Sequence, residues 1–281
     1  MPILHAIVLG LVQGLSEFLP ISSSGHLLLV PWLLGWDDFA GDGGEKIKKT
    51  FDVALHLGTL VAVLGYFWND VVVYVREGTR LVVSRSRPAT VEGRLAWFFV
   101  LATLPAAAVG ALLEDAIDTT LGTPLIIAIS LIAFGLLLGW ADRIAGRREL
   151  RDFRARDALI VGAAQALALN PGTSRSGITI TAARGLGFDR DSAARISFVM
   201  SLPVIAGAVV FKTYTALTDG IPSDLWVPMG VGIVTSGISG WIAVWGTLRL
   251  IRTRSFLPFV VYRVVVGVGV LVLIATGVRA G

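Results

Sequence analysis

Residues 13–26 read QGLSEFLPISSSGH and lie between LHAIVLGLV (4–12) and LLLVPWLLGW (27–36). A glutamine, a carboxylate, three consecutive serines and a histidine thus interrupt a stretch otherwise made of Leu, Val, Ile and Phe. Pro20 has no N–H and clashes with the preceding turn, so it ends the helix that the first apolar run would form. Gly25 permits the tight turn from which a second short helix restarts. Gln13 and Glu17, spaced i and i+4, share one face of the first helix.

The surroundings decide what such a break means. Of 281 residues, 54% are hydrophobic and only 16% are charged, and the mean hydropathy is +0.76. That is more apolar surface than a single soluble core uses, and it marks a polytopic all-α membrane protein. Near-uncharged runs recur at 95–113, 123–141, 225–248 and 255–278, with shorter ones at 53–68 and 196–211. About 20 apolar residues span a hydrocarbon core, so six crossing helices are expected. No cleavable signal peptide is expected, because the first apolar run lacks a basic flank and carries Glu17. The absence of cysteine excludes disulfides and thiolate chemistry. The net charge of +4 does not point to nucleic acid, since the arginines fall in short loops between apolar runs.

An internal echo organises the chain. QGLSEFLPISSSG (13–25) is matched by QALALNPGTSRSG (165–177), each with a proline followed by a hydroxyl-rich loop and a glycine. The chain therefore reads as two repeats, 1–149 and 150–281, each opening with a re-entrant helical hairpin (2–35 and 157–184) and continuing with three crossings. Arginines cluster in four segments: Arg76, Arg80, Arg85, Arg87 and Arg94; Arg143, Arg147, Arg148, Arg151, Arg154 and Arg156; Arg184, Arg190 and Arg195; and Arg249, Arg252 and Arg254. The positive-inside rule places these on the cytoplasmic side. Segments 114–122 and 213–224, with Glu114, Asp115, Asp118, Asp219 and Asp224, then face out, although Lys46, Lys48 and Lys49 weaken the pattern in the first external loop. Three crossings per repeat is an odd number, so the repeats have inverted topology, as in transporter folds whose broken helices place a polar site near the midplane.

Irregular backbone at membrane depth survives only when buried in protein or lining a wet cavity. Two polar hairpin tips related by a pseudo-twofold are therefore expected to meet. The first offers Glu17, Ser22, Ser23, Ser24 and His26, with Gln13 supporting the carboxylate; the second offers Thr173, Ser174, Arg175 and Ser176. Loop N–H groups feeding a helix N-terminus favour an anion, and the planar arginine fork suits phosphate oxygens. Anion cradle, hydroxyl nucleophile and titratable groups together suit phosphoryl transfer. Plainer readings stand beside this one: a structural ion pair between Glu17 and Arg175, serines as interhelical glue, and His26 as a backbone cap. His56 reads as a packed, hydrogen-bonded side chain. Arg263, eight residues into the last helix, reads as snorkelling to the cytoplasmic side or pairing with a neighbour.

In this order and inside this pattern of helices, QGLSEFLPISSSGH and PGTSRSG (171–177) resemble the two signature segments of the BacA-type undecaprenyl-diphosphate phosphatase family, and the resemblance extends along essentially the whole chain. It implies a multi-pass protein of the bacterial cell membrane whose active site opens outward. The implied reaction cleaves undecaprenyl diphosphate to undecaprenyl phosphate and inorganic phosphate, recycling the lipid carrier of cell-wall synthesis and conferring bacitracin resistance. It also implies stimulation by Mg²⁺ or Ca²⁺, with Glu17 as the ligand. Implied roles are acidic for Glu17, nucleophile or phosphate ligand for the serine loop, acid–base or nucleophilic for His26, and diphosphate binding for Arg175. Gln13 departs from the family, where many members carry a second glutamate, and this puts a two-carboxylate metal mechanism in doubt. Ser23 is the expected nucleophile, with Glu17 accepting its proton; direct attack by His26 is the alternative. A transporter of polyprenyl phosphate is the competing function. Expected partners are the polyprenyl diphosphate and membrane lipids; oligomeric state stays open, with a homodimer among the options.

Overall fold

A computed structural model describes residues 1–41, 43–84 and 88–279, with backbone alone for 113–120, 212, 215–217 and 219. Arg85 and Arg87 lie outside the described residues, as do the side chains of Glu114, Asp115, Asp118 and Asp219. The chain forms helices α1 (Ile3–Phe18), α2 (Ser23–Leu34), α3 (Gly44–Tyr66), α4 (Trp68–Val83), α5 (Val91–Thr120), α6 (Pro124–Asp142), α7 (Ala155–Ala166), α8 (Arg175–Gly185), α9 (Arg190–Asp219), α10 (Trp226–Ile251) and α11 (Leu257–Ala275). Among the described residues five helices are long and apolar enough to cross a membrane, or up to six spans if α3 and α4, bent by 82°, count as one. The segment read from sequence as the first arginine-rich loop, 69–94, is thus largely helical. Its helix α4 starts just after Phe67, a buried residue whose backbone (φ −99°, ψ 21°) breaks the line of α3.

Both expected breaks are present. After α1 the chain leaves the helical region at Leu19 (ψ 136°) and restarts as α2; after α7 a single 3-10 turn, Leu167–Leu169, leads to α8. Among the described residues only Ser22 (φ 80°) and Ser174 (φ 74°) have positive φ without being glycine. Each is the N-cap of its short helix and accepts a hydrogen bond from the amide three residues on, Gly25 at 3.3 Å and Gly177 at 3.0 Å. A left-handed serine costs about 1–3 kcal/mol, and the cap recovers part of it by satisfying a first-turn N–H.

Helix packing follows the small residues. α10 lies between α1 and α3, α7 packs on α5, and α6 on α11. A Cβ added to Gly14 would lie 1.9 Å from Ser239 Oγ and 2.4 Å from Ser236 O, and one added to Gly58 would lie 2.2 Å from Ile233 O. The backbones therefore touch, which is how membrane helices gain dispersion energy without a hydrophobic driving force between them. Aromatic rings fill the wider spaces, as where Phe18 meets Phe198 edge-on at 5.7 Å.

Gly14→Ala is expected to destabilise the detergent-solubilised protein by roughly 1–3 kcal/mol through overpacking. Gly246→Ala on α10, where a Cβ meets nothing within 4 Å, should be neutral or slightly stabilising. Melting curves of the two variants check this; equal melting temperatures would contradict the seam.

Candidate active site

The two tips meet, and Glu17 is where they do so. It sits on the last turn of α1, 6% exposed. Its Oε2 accepts hydrogen bonds from Ser23 Oγ at 2.6 Å and Gln13 Nε2 at 3.1 Å, while its Oε1 accepts one from Arg175 Nη2 at 3.1 Å. Ser23 and Arg175 are equivalent residues: each directly follows a left-handed serine and is the first residue of its short helix, α2 or α8. The two oxygens of one carboxylate thus hold the leading residues of both broken helices.

The three serines are separated by their partners. Ser22 Oγ accepts from Gly25 N and, across the tips, from Gly172 N at 3.1 Å, so its lone pairs are occupied. Ser24 is exposed and its hydroxyl is 3.4 Å from that of Ser22. Ser23 alone is hydrogen-bonded to a carboxylate. Ser174 mirrors Ser22 as a cap. Ser176 Oγ donates to Leu19 O at 3.1 Å, and Thr173 Oγ1 accepts from Asn170 Nδ2 at 3.1 Å.

A cavity of about 240 Å³ opens at this point, lined by Ser16, Glu17, Ser22, Ser23, Ser24, His56, Gln165, Ser174 and Arg175 on its polar side. Gln13 stands behind Glu17, and Thr173, Ser176 and His26 do not reach the cavity wall. For His26 the reason is explicit. Its Nδ1 donates to Ser22 O at 2.7 Å, because a carbonyl only accepts, and its Nε2, then bearing the lone pair in the neutral ring, accepts from Tyr262 Oη at 2.8 Å. Both ring nitrogens are used away from the cavity. The expectation brought His26 beside Glu17 and Ser23; here its ring turns to Ser22 O and Tyr262 instead.

The imidazole that faces Glu17 is His56, read from sequence as a packing residue. Its Nδ1 donates to Asp52 O at 2.7 Å, which leaves Nε2 with the lone pair in the neutral ring, 3.7 Å from Glu17 Oε2. A signal was present: Lys48, Asp52, His56 and Thr59 recur at helical spacing and form one polar stripe on α3. For Arg263 the structural reading holds, through bonds to its neighbours. It does not snorkel; it is fully buried, and donates to Pro20 O (3.2 Å), Gly172 O (2.9 Å) and Thr173 O (3.0 Å) of the tips and to Ser130 O (3.3 Å) and Leu131 O (3.1 Å) of α6.

Buried donors and acceptors without protein partners mark where a ligand's polar atoms belong. On the cavity wall, Arg175 Nε and both amide atoms of Gln165 are of this kind. Arg175 Nη1 is anchored on Ser197 O at 3.1 Å, so the guanidinium edge is held in place. The first-turn amides of α2 and α8 add N–H groups that have no intrahelical acceptor. The donor set suits an anion. A Mg²⁺ or Ca²⁺ at Glu17 would find one carboxylate, already paired with Arg175, and an uncharged Gln13 beside it, so its other ligands would come from water and phosphate oxygens. No cluster of three His, Cys, Asp or Glu able to hold a metal occurs among the described residues.

Comparison with known proteins gives the family. The family described as bacitracin resistance protein BacA matches residues 6–269. The chain is 45% identical over 276 residues to an undecaprenyl-diphosphatase of Pelotomaculum thermopropionicum, covering 98% of both chains. It is 46% identical over 270 residues to one of Desulforudis audaxviator, covering 96% of this chain and 97% of the relative. With one of Geobacter sulfurreducens it shares 46% over 273 residues, covering 96% and 98%. A match over nearly the whole length, carried by relatives of equal size, places this chain in the bacitracin resistance protein BacA family.

Proposed function

We propose that this chain is a membrane undecaprenyl-diphosphate phosphatase that releases undecaprenyl phosphate and inorganic phosphate and, as its family description implies, confers bacitracin resistance. The observation that carries the reading is the Ser23 hydroxyl bonded at 2.6 Å to a buried carboxylate that also holds Arg175. A nucleophile, its base and an anion ligand share one contact, and transport alone needs no nucleophile.

In the proposed sequence Arg175 turns its free Nε and a released Nη onto the terminal phosphoryl oxygens, assisted by the leading amides of α2 and α8. Ser23 Oγ attacks the terminal phosphorus as its proton passes to Glu17 Oε2, and the bond to the bridging oxygen breaks, so undecaprenyl phosphate leaves with the bonding electron pair. Water then attacks the phosphoserine. Its proton goes to His56 Nε2, the Oγ–phosphorus bond breaks, Oγ recovers the proton from Glu17, and His56 passes its proton to the departing inorganic phosphate. His26 acts as a positioning residue: it ties Ser22 O to Tyr262 and so holds the loop from which Ser23 projects. Gln13, Ser22, Ser24, Thr173, Ser174 and Ser176 shape and orient the cradle.

The inverted repeat belongs to the same reading. It is supported by the paired left-handed serines and by reciprocal packing, α1 on α10 and α7 on α5. The boundary lies near 149/150, and 2–35 and 157–184 are the re-entrant hairpins. The arginine bias supports a site open to the outside of the bacterial cell membrane. A cysteine placed at Ala89, in a chain with no native cysteine, should resist impermeant reagents in intact cells; its ready modification would reverse the orientation.

Phosphate release in detergent, where no second compartment exists, tests hydrolysis against transport. Ser23→Ala and Glu17→Gln should lose at least about 10³-fold in kcat, and Arg175→Lys about 10²-fold, since lysine cannot reproduce the bidentate contact. Gln13→Glu should remain active but acquire dependence on Mg²⁺ or Ca²⁺, because two carboxylates one turn apart repel each other unless a cation lies between them. An active Ser23→Ala enzyme would remove the nucleophile; a metal response of Gln13→Glu identical to wild type would contradict the donor-set argument.

A further inference from the structure

The ends of α6, α8, α9 and α10 that the arginine bias assigns to the cytoplasm converge on a second cavity, of about 520 Å³. Helix α8 joins it to the active site. Arg175 begins that helix beside Glu17, and Arg184, about 14 Å further along its axis, lines the second cavity.

Four arginines and three aspartates line this cavity, and the aspartates are already satisfied. Asp142 accepts from Arg190 Nε at 2.6 Å and Phe256 N at 3.0 Å, Asp191 from Arg195 Nε at 2.8 Å and Arg252 Nε at 3.1 Å, and Asp189 from Ser192 N at 2.7 Å. The donors are not used up. Arg184 is buried and donates to Phe188 O at 2.6 Å, Asp142 O at 3.0 Å and Ile144 O. Its Nε, 3.7 Å from Asp142 Oδ1, makes no hydrogen bond. The Arg143 side chain is exposed and bonded to no described residue, and Arg252 is 59% exposed. The successive amides of Ala145 and Gly146 line the same cavity and have no acceptor among the described residues. A Cβ on Gly146 would lie 2.5 Å from Arg184 Nη1, so this loop is pressed against the buried arginine. Successive free N–H groups beside guanidinium groups favour a phosphate-like anion.

Exposed tryptophans fix the depth of the cavity. Trp140 lies on α6 within one turn of Asp142, and Trp245 on α10 carries Arg249 over its ring at 5.4 Å. Tryptophan gathers at the membrane–water interface, so the cavity opens at headgroup level, where basic pockets between membrane helices hold anionic lipids. We propose that it binds the phosphodiester headgroup of an anionic phospholipid, through Arg143, Arg252 and the Ala145 and Gly146 amides, and so fixes the end of α8 opposite Arg175. The exposed Leu136 and Leu137 further along α6 offer apolar surface to the acyl chains.

Detergent-purified protein, titrated with dioleoyl phosphatidylglycerol or dioleoyl phosphatidylcholine and read by native mass spectrometry, should bind the anionic lipid at least about tenfold more tightly. Arg143→Gln/Arg252→Gln should lose that preference. Arg151→Gln/Arg156→Gln, at two exposed arginines of the same segment that lie outside the cavity, should keep it, and melting temperatures without lipid should agree among the three proteins. Because a double variant can misfold, a second measurement uses Arg143→Cys in a chain with no native cysteine: phosphatidylglycerol, and not phosphatidylcholine, should slow its alkylation by N-ethylmaleimide. Equal affinity for the two lipids, equal loss in both double variants, or alkylation unaffected by phosphatidylglycerol would overturn the proposal. Displacement of the lipid by equimolar inorganic phosphate would overturn it too, by making the cavity a site for a soluble anion.

Discussion

The structure depends on one buried cation bound by backbone. Breaking two helices at membrane depth leaves carbonyls that neither water nor a helix can satisfy, each costing several kcal/mol. The Arg263 guanidinium takes three of them, on Pro20, Gly172 and Thr173, and also donates to Ser130 and Leu131 carbonyls of α6. The same group that stabilises the irregular backbone therefore fixes the two tips relative to each other. Ser22 Oγ on Gly172 N adds a second tie. Once the tips are fixed, Glu17 and Arg175, 158 residues apart in sequence, are held at hydrogen-bond distance.

On that frame a duplicated device serves two purposes. Each half places a serine in the left-handed region, where backbone strain is stored, and uses it to cap a short helix. The residue that follows is Ser23 in one half and Arg175 in the other. In the proposed reaction one is the nucleophile and the other the anion ligand; the carboxylate between them bonds both. Equivalent backbone positions with different side chains thus give an asymmetric reaction centre from a pseudo-symmetric scaffold.

Most of this arrangement was legible in the sequence. The apolar runs mark the long helices, Pro20 and the glycines mark the break, and the echo of residues 13–25 in 165–177 pairs the tips. The i, i+4 spacing of Gln13 and Glu17 puts both on one face, and they are hydrogen-bonded at 3.1 Å. What was not legible depends on side-chain direction. Nothing in SSSGH says that Ser23 turns to the carboxylate while His26 turns to Tyr262. His56 looks like one polar residue in an apolar helix until the stripe with Lys48 and Asp52 is placed on the α3 face toward Glu17. Arg263 reads as a snorkelling cation because its partners are backbone carbonyls, which leave no trace in residue type. The helix α4 was hidden by the arginines that made its segment read as a cytoplasmic loop, since charge bears on sidedness and not on secondary structure.

The central claim is that Ser23, with its proton taken by Glu17, forms the bond to phosphorus. It is tested most directly by acid-quenching the protein during turnover of undecaprenyl diphosphate radiolabelled in the terminal phosphate and locating the label by peptide mapping. The account predicts an acid-stable phosphoester on Ser23 that builds up further in His56→Gln and is absent in Ser23→Ala. Label carried as an acid-labile phosphohistidine on His26 or His56, or label on Ser22 or Ser24, would contradict it.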